Sequence, residues 1–468
     1  MSDAPDIVGQ YLFYINYNEH PHDIHRTGLV KNRSTLLNRK RVINRISPHN
    51  DRDLSEAADL SNLYARIRGY TNAAINVMRS MSYFPAVQLT RYLEDGADNQ
   101  LELVRSRKRS RLYVSKSLDV KSLRKEVGLF GSNFQNGYAI SNAIFSGLVS
   151  TFDELLGLII KFAIRSKPEI LNGIGKNVAY SEIVSAGDFS QLQSEIIDSM
   201  IESIMMDPRS TQIEWLEKYF LDFKLKEIWS EYNKFIEINE RRNIYVHNDG
   251  YPSKAYVNRI KSATGKAASV DFSKRLRLTS SYFNEASDIL TEALIIISQG
   301  VTRKILKSNR DAKSELDTGF AHAIYELIEE KRYESAARVG EIVVRKYPGI
   351  GELGSRMATI NWAIAEKKRG EIEKCNKILD TPEWTASRDE FRLCVSAVKG
   401  DIDSVCSYIP KLKDSDWITP ESYFEWPAFD GLRDKSEFWK ALHETYGEHI
   451  KFEPEPAIEP EDTTLQDL

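Results

Sequence analysis

Cysteine is scarce in this chain, with three residues in 468. Cys375, Cys394 and Cys406 are odd in number and lack the paired spacing of metal ligands, so a disulfide framework and a cysteine-built zinc site are both excluded. They read as reduced residues of a helical core. No run of about 18 uncharged apolar residues occurs, and the first residues lack the basic-then-apolar plan of a signal peptide. The expectation is a cytoplasmic chain with no membrane partner. Apolar residues still make up 41% and aromatics 10%, which excludes a wholly disordered or fibrous chain and suffices for two to four ordinary domains.

Net charge is only −4, yet it is unevenly spread. Residues 1–125 hold 21 Lys/Arg against 13 Asp/Glu, whereas residues 401–468 hold 6 against 17. The basic head suits a polyanion partner; the acidic tail opposes nonspecific nucleic-acid binding.

Hydrophobic periodicity divides the chain. Residues 1–125 form a small basic module of α+β type: Tyr11, Phe13 and Ile15 suggest a strand, 53–94 a helix, and Arg111–Ser115 a short strand. Residues 126–310 are helical, with helices expected at 139–165, 189–206, 211–247 and 279–306, the second stopped by Asp207-Pro208 and the third closed by Asn248-Asp249-Gly250. Four helices with short breaks are what an antiparallel bundle needs. Residues 317–450 change to shorter helical pairs. Tyr333-Glu-Ser-Ala336 followed by Pro348, with Gly370-Glu-Ile372 and Gly400-Asp-Ile402 marking turns thirty residues apart, resembles tetratricopeptide repeats, with Phe429–Leu442 as a capping helix. Residues 451–468 are acidic and proline-rich, the composition of a disordered tail.

The informative segment is Glu240-Arg241-Arg242-Asn243-Ile244-Tyr245-Val246-His247-Asn248-Asp249-Gly250, at the end of the third bundle helix. Asn243 and His247 are four apart and share a face. Arg242 is five before His247, about 140° around the helix, and flanks that face. One helix therefore offers an incomplete site, and two copies crossing about a twofold axis would line one groove. Cleavage of RNA by its own 2′-hydroxyl needs a proton acceptor, a proton donor and positive charge on the phosphate. Histidine can fill either proton role, arginine is a forked phosphate donor, and asparagine orients without titrating. A basic residue at a helix C-terminus can also simply complement the macrodipole.

Arg242-Asn243-x-x-x-His247, closing the third helix of a bundle and followed by Asn-Asp-Gly, resembles the HEPN superfamily. The resemblance covers about 126–307. It implies a metal-independent endoribonuclease, usually dimeric, that leaves 2′,3′-cyclic phosphate and 5′-hydroxyl ends and often serves as the toxin or effector of antiviral and abortive-infection systems. Arg242, Asn243 and His247 would be catalytic, Arg241 a secondary phosphate contact, and Asp153 or Glu154 a polar residue facing the site from the first bundle helix. No cofactor or metal is implied. A sensor, antitoxin or other protein partner could sit on the repeats. A second reading keeps the fold as a non-catalytic dimer scaffold whose repeats bind a protein.

Other signals carry less. Gly349-Ile-Gly351-Glu-Leu-Gly354 matches a dinucleotide fingerprint, but Tyr347-Pro348 rather than a strand precedes it, so it reads as an inter-repeat loop; Gly173-Ile-Gly175-Lys176 is too short for a P-loop. His20, His22 and His25 are close together without a complete ligand shell. Two basic clusters, Arg26–Arg45 with Arg39, Lys40 and Arg41, and Arg105–Arg111 with Arg107, Lys108 and Arg109, have the density that RNA-backbone contact needs.

Overall fold

A computed structural model describes residues 102–106, 109–113, 120–167, 170, 189–307 and 310–447. The chain divides into two compact units, 1–316 and 317–468. The described residues are mainly helical. The first 101 residues, the acidic tail from 448, the histidine cluster, the stretch Arg26–Arg45, and Gly173–Lys176 lie outside the described residues.

In the first unit a two-stranded antiparallel hairpin comes first: β1 (Glu102–Ser106) pairs with β2 (Arg109–Tyr113), with Val104 opposite Arg111 and Ser106 opposite Arg109. The strand expected at Arg111–Ser115 thus starts two residues earlier. Helix α1 (Val120–Ser166) follows and is longer than the expected 139–165. Its residues Phe145, Leu148, Phe152, Leu155, Leu156 and Ile159 recur at three- and four-residue spacing and are buried, so one continuous apolar stripe faces inward. The window Ala139–Ser166 is apolar and long enough to cross a membrane on those two criteria. Within the fold it is the central helix of a bundle, packing against α2 (Phe189–Met206), α5 (Tyr232–Asn248) and α7 (Ser280–Ile305).

The helix expected over 211–247 is instead three: α3 (Arg209–Tyr219), the single turn α4 (Leu225–Ile228), and α5. No glycine or proline marks the break. Phe220, Leu221, Leu225 and Trp229 are all buried across it, so the apolar spacing continues while the backbone turns. The carboxylate of Glu217 accepts from the Leu225 amide (2.7 Å), and the Trp229 indole donates to Glu292 of α7 (2.9 Å), which fixes the corner. A further helix, α6 (Lys254–Thr264), lies between α5 and α7 and was not expected. Ser253 caps it, its hydroxyl accepting from the Tyr256 amide. Breaks at Pro208, where α3 begins, and at Asn248-Asp249-Gly250 stand where the sequence places them. Asp249 (φ 49°) and Gly250 (φ 77°) adopt left-handed backbone, and the Gly250 amide returns to the Ile244 carbonyl (3.0 Å) to close α5.

The second unit begins within α8 (Arg310–Glu329) and continues as a series of helical hairpins: α9 (Tyr333–Glu341) continued by a wider turn over Ile342–Lys346, α10 (Glu352–Lys368), α11 (Ile372–Asp380), α12 (Asp389–Lys399), α13 (Ile402–Tyr408), α14 (Ser422–Glu425) and α15 (Ser436–Tyr446). Gly370 (φ 86°) and Gly400 (φ 78°) make the expected turns in left-handed backbone, and Cys375 and Val405 that follow them are buried. Cys375 and Cys394 are core thiols, and burial pushes the Cys394 thiol up to about 12; Cys406 is half-buried. The expected capping helix at Phe429–Leu442 begins as a 3-10 segment, Pro427–Leu432, before α15. Gly349–Gly351 form the loop expected there, while Glu352, Leu353 and Gly354 already belong to the first turn of α10. Its glycines accommodate Asp317, whose carboxylate accepts from the Gly351 amide (2.8 Å); a Cβ on Gly354 would stand 2.5 Å from that of Asp317.

Gly340 in α9 is packed as tightly against an aromatic ring: an added Cβ would fall 2.6 Å from the Cβ of Trp362 and 2.9 Å from its Cγ. Gly340→Ala should lower stability by about 1–3 kcal/mol through overpacking, although alanine is the better helix former by about 1 kcal/mol. A lower urea midpoint at unchanged slope is the expected reading, and a raised midpoint would contradict the packing described.

Candidate active-site cleft

A cleft of about 250 Å³ opens in the first unit where α1, the α2–α3 corner, α5 and α6 converge. Arg242 and Asn243 line it from α5, Asp153 from α1, Arg209 from α3 and Arg259 from α6. Two of the three residues picked out in the sequence are therefore brought together.

Arg209 is the residue that sequence reasoning missed. It is 3% exposed and stands at the first position of α3. A cation there opposes the helix dipole, which is the one sequence signal that it is engaged elsewhere. Its guanidinium donates to Asp153, to Gln212 and to Asn239 (3.2 Å), and lies over the Phe152 ring at 4.8 Å. Gln212 in turn donates to the carbonyls of Met205 and Asp207, both at 3.0 Å, and so holds the α2–α3 corner that forms the rim. Of the two acidic candidates on α1, Asp153 faces the cleft, whereas Glu154 is exposed and does not line it.

The charges in the cleft are mostly paired. Arg209 is bridged to Asp153, and Arg259 donates to Glu240 (2.6 Å). Arg242 differs. It donates to the Asn243 side-chain oxygen (3.3 Å) and makes no ion pair among the described residues, and its Nε is buried without a hydrogen-bond partner. A half-buried guanidinium with no carboxylate beside it is a ready anion contact.

His247 is not in the cleft. It is exposed in the last turn of α5, one turn beyond Asn243 on the same face, and has no hydrogen-bond or ion-pair partner among the described residues. Arg241 does not line the cleft either. Its Nε donates to Glu237 (2.6 Å) and its guanidinium lies 3.9 Å over the Tyr282 ring. Burial opposes its charge, but Tyr282 and Glu237 outweigh that and hold the guanidinium above its usual value. The expected phosphate contact at Arg241 is thus engaged in packing. Of the RNA-contact candidates, Arg109 begins β2, while Arg39, Lys40, Arg41, Arg107 and Lys108 lie outside the described residues. Among the described residues no group of three or more His, Cys, Asp or Glu is arranged to hold a metal ion.

Compared with protein-family models, with curated proteins and with solved structures, the chain finds no match.

Breaking a buried ion pair from one side leaves the other charge uncompensated, at a cost of about 3–5 kcal/mol. Asp153 keeps some solvent, so Arg209→Ala should cost about 3 kcal/mol, and the paired change Arg209→Met with Asp153→Leu much less. Guanidinium unfolding of the single and double variants checks this; equal losses in both would sever the link between the two residues.

Proposed function

We propose that the first unit is a HEPN-like bundle and that the chain is a metal-independent endoribonuclease acting in the cytoplasm as a homodimer, the effector of a prokaryotic antiviral or abortive-infection system. The reading rests chiefly on one observation: Arg242, a cation without a carboxylate partner among the described residues, lines a cleft beside Asn243, with His247 exposed one turn further along the same helix. Arg242 would clamp the scissile phosphate, Asn243 would orient it or the imidazole, and His247 would transfer the proton. Because His247 stands outside the cleft of its own chain, a second copy is needed to bring a histidine to an arginine. The second unit would be a tetratricopeptide-like array that receives a sensor or antitoxin. The alternative reading, a non-catalytic scaffold, draws on that same array of hairpins, whose faces suit a protein ligand.

Purified chain incubated with end-labelled RNA in EDTA tests the reading. Wild type should cut, leaving 5′-hydroxyl ends that polynucleotide kinase accepts, and sedimentation should give a dimer. His247→Ala should lower the rate by about 10²–10⁴ while the helical circular dichroism is unchanged. Arg242→Ala should act similarly, and Arg242→Lys should rescue only in part because a point charge replaces a fork. Cutting by His247→Ala at the wild-type rate, or loss of wild-type cutting in EDTA, would rule the mechanism out.

A further inference from the structure

A further basic stretch lies outside both of the clusters picked out in the sequence. Residues 251–279 carry seven Lys/Arg, namely Lys254, Arg259, Lys261, Lys266, Lys274, Arg275 and Arg277, against a single acidic residue, Asp271. This segment is α6 and the strap that returns from it to α7, and all seven cations are exposed. Lys254, Lys261, Lys266 and Arg277 have no ion-pair partner among the described residues.

The segment is fastened to the end of α5 that carries His247. The Tyr245 hydroxyl donates to the Leu276 carbonyl, the Leu276 amide donates to the Gly250 carbonyl (3.0 Å), Arg275 pairs with Asp249, and Arg241 donates to the Arg277 carbonyl (3.2 Å). Beneath it Ile244, Tyr256 and Ile260 form a small core on which Val257, Val270 and Leu276 pack. The basic surface is therefore rigidly placed relative to His247. Two aromatics stand on it: Phe272 is 51% exposed, and Tyr251 is 37% exposed with the Arg275 guanidinium 5.2 Å over its ring. Phe272 is not among the residues packed on that small core, and base stacking beside phosphate contacts uses an exposed ring next to cations.

We infer that α6 and the strap through Thr279 form a docking surface for single-stranded RNA, with Lys254, Lys261, Lys266 and Arg277 contacting phosphates and Phe272 and Tyr251 stacking unpaired bases. The inference rests on the ribonuclease reading of His247 and names the substrate class of that site. Bases within a duplex are already stacked on each other and present no free face to Phe272, so a strand must be unpaired to use both parts of the surface.

Binding is measured separately from cutting by placing every variant in a full-length His247→Ala background and following fluorescence anisotropy of a labelled 20-nucleotide single-stranded RNA, the same sequence as a duplex, and polyglutamate of equal length. Alanine at Lys254, Lys261, Lys266 and Arg277 together should weaken single-strand binding at least tenfold, with the slope of log affinity against log salt reduced by up to about 3, since each phosphate contact contributes about 0.7. The same four positions changed to Arg or Lys should retain affinity. Phe272→Ala should weaken the single strand on the order of fivefold and leave the duplex unchanged. An unchanged affinity and salt slope in the four-alanine variant overturns the proposal, as do duplex binding equal to single-strand binding and polyglutamate binding equal to RNA. A wild-type chain that binds RNA through this surface but never cuts it overturns the catalytic reading alone. In the chain that keeps His247, cutting with KM unaffected by the four-alanine change overturns the docking surface alone.

Discussion

The carboxylate of Glu237 ties α5, which carries Arg242 and Asn243, to α6 and α7. One oxygen accepts from Arg241 of the same helix (2.6 Å) and from the Tyr256 hydroxyl of α6 (2.7 Å); the other accepts from the Tyr282 hydroxyl of α7 (2.7 Å). Burial first, and the Glu237 charge next, raise both phenols well above their usual range, so the two tyrosines stay hydrogen-bond donors. Arg241 closes the network by lying against the Tyr282 ring. A largely buried carboxylate is tolerable only when its lone pairs are filled this way. With α5 fixed on this side, its opposite face turns Arg242 and Asn243 toward α1 and α3. The arginine next to the motif is thus the one that aims the motif.

A second buried polar group sets the other wall. Arg209 links Asp153 of α1, Gln212 of α3 and Asn239 of α5, and through Gln212 it holds the carbonyls of the α2–α3 corner. Its charge is used within the protein. So is that of Arg259, which meets Glu240. Of the three arginines that line the cleft, only Arg242 keeps its charge unpaired among the described residues, and the Asp207 carboxylate lines the same cleft. Counting cations in a sequence overstates the attraction available to a phosphate, because pairing decides how much of each charge is left to act.

What could be read from the sequence follows from this distinction between local and tertiary causes. The bundle helices α2 and α7, the stop at Asp207-Pro208, the left-handed turns at Gly250, Gly370 and Gly400, and the burial of Cys375 all stem from rules of period, proline and glycine that act over a few residues. The break between α3 and α5 could not be seen, because it is imposed by Glu217 on the Leu225 amide and Glu292 on Trp229, partners 8 and 63 residues away, while the apolar spacing runs on undisturbed. Helix α6 escaped notice because its small core is completed by residues of α5 and the strap rather than by a stripe of its own. For the cleft, Arg242 and Asn243 were legible as neighbours on one helix, and the choice between Asp153 and Glu154 required knowing which way α1 is turned. Arg209 left only its misplaced charge as a clue.

The placement of His247 follows from helix geometry alone. Residues 242 and 247 are separated by about 140° around a helix of 3.6 residues per turn, so a side chain that enters the cleft at Arg242 leaves His247 pointing past its edge. Asn243 lies between the two, sharing the cleft with Arg242 and a face with His247. On the proposed reading, Arg242 and Asn243 of one copy therefore work with the His247 of a second, and the reacting phosphate lies between the two chains. A substrate held between two copies extends beyond either cleft. A polynucleotide strand satisfies that requirement.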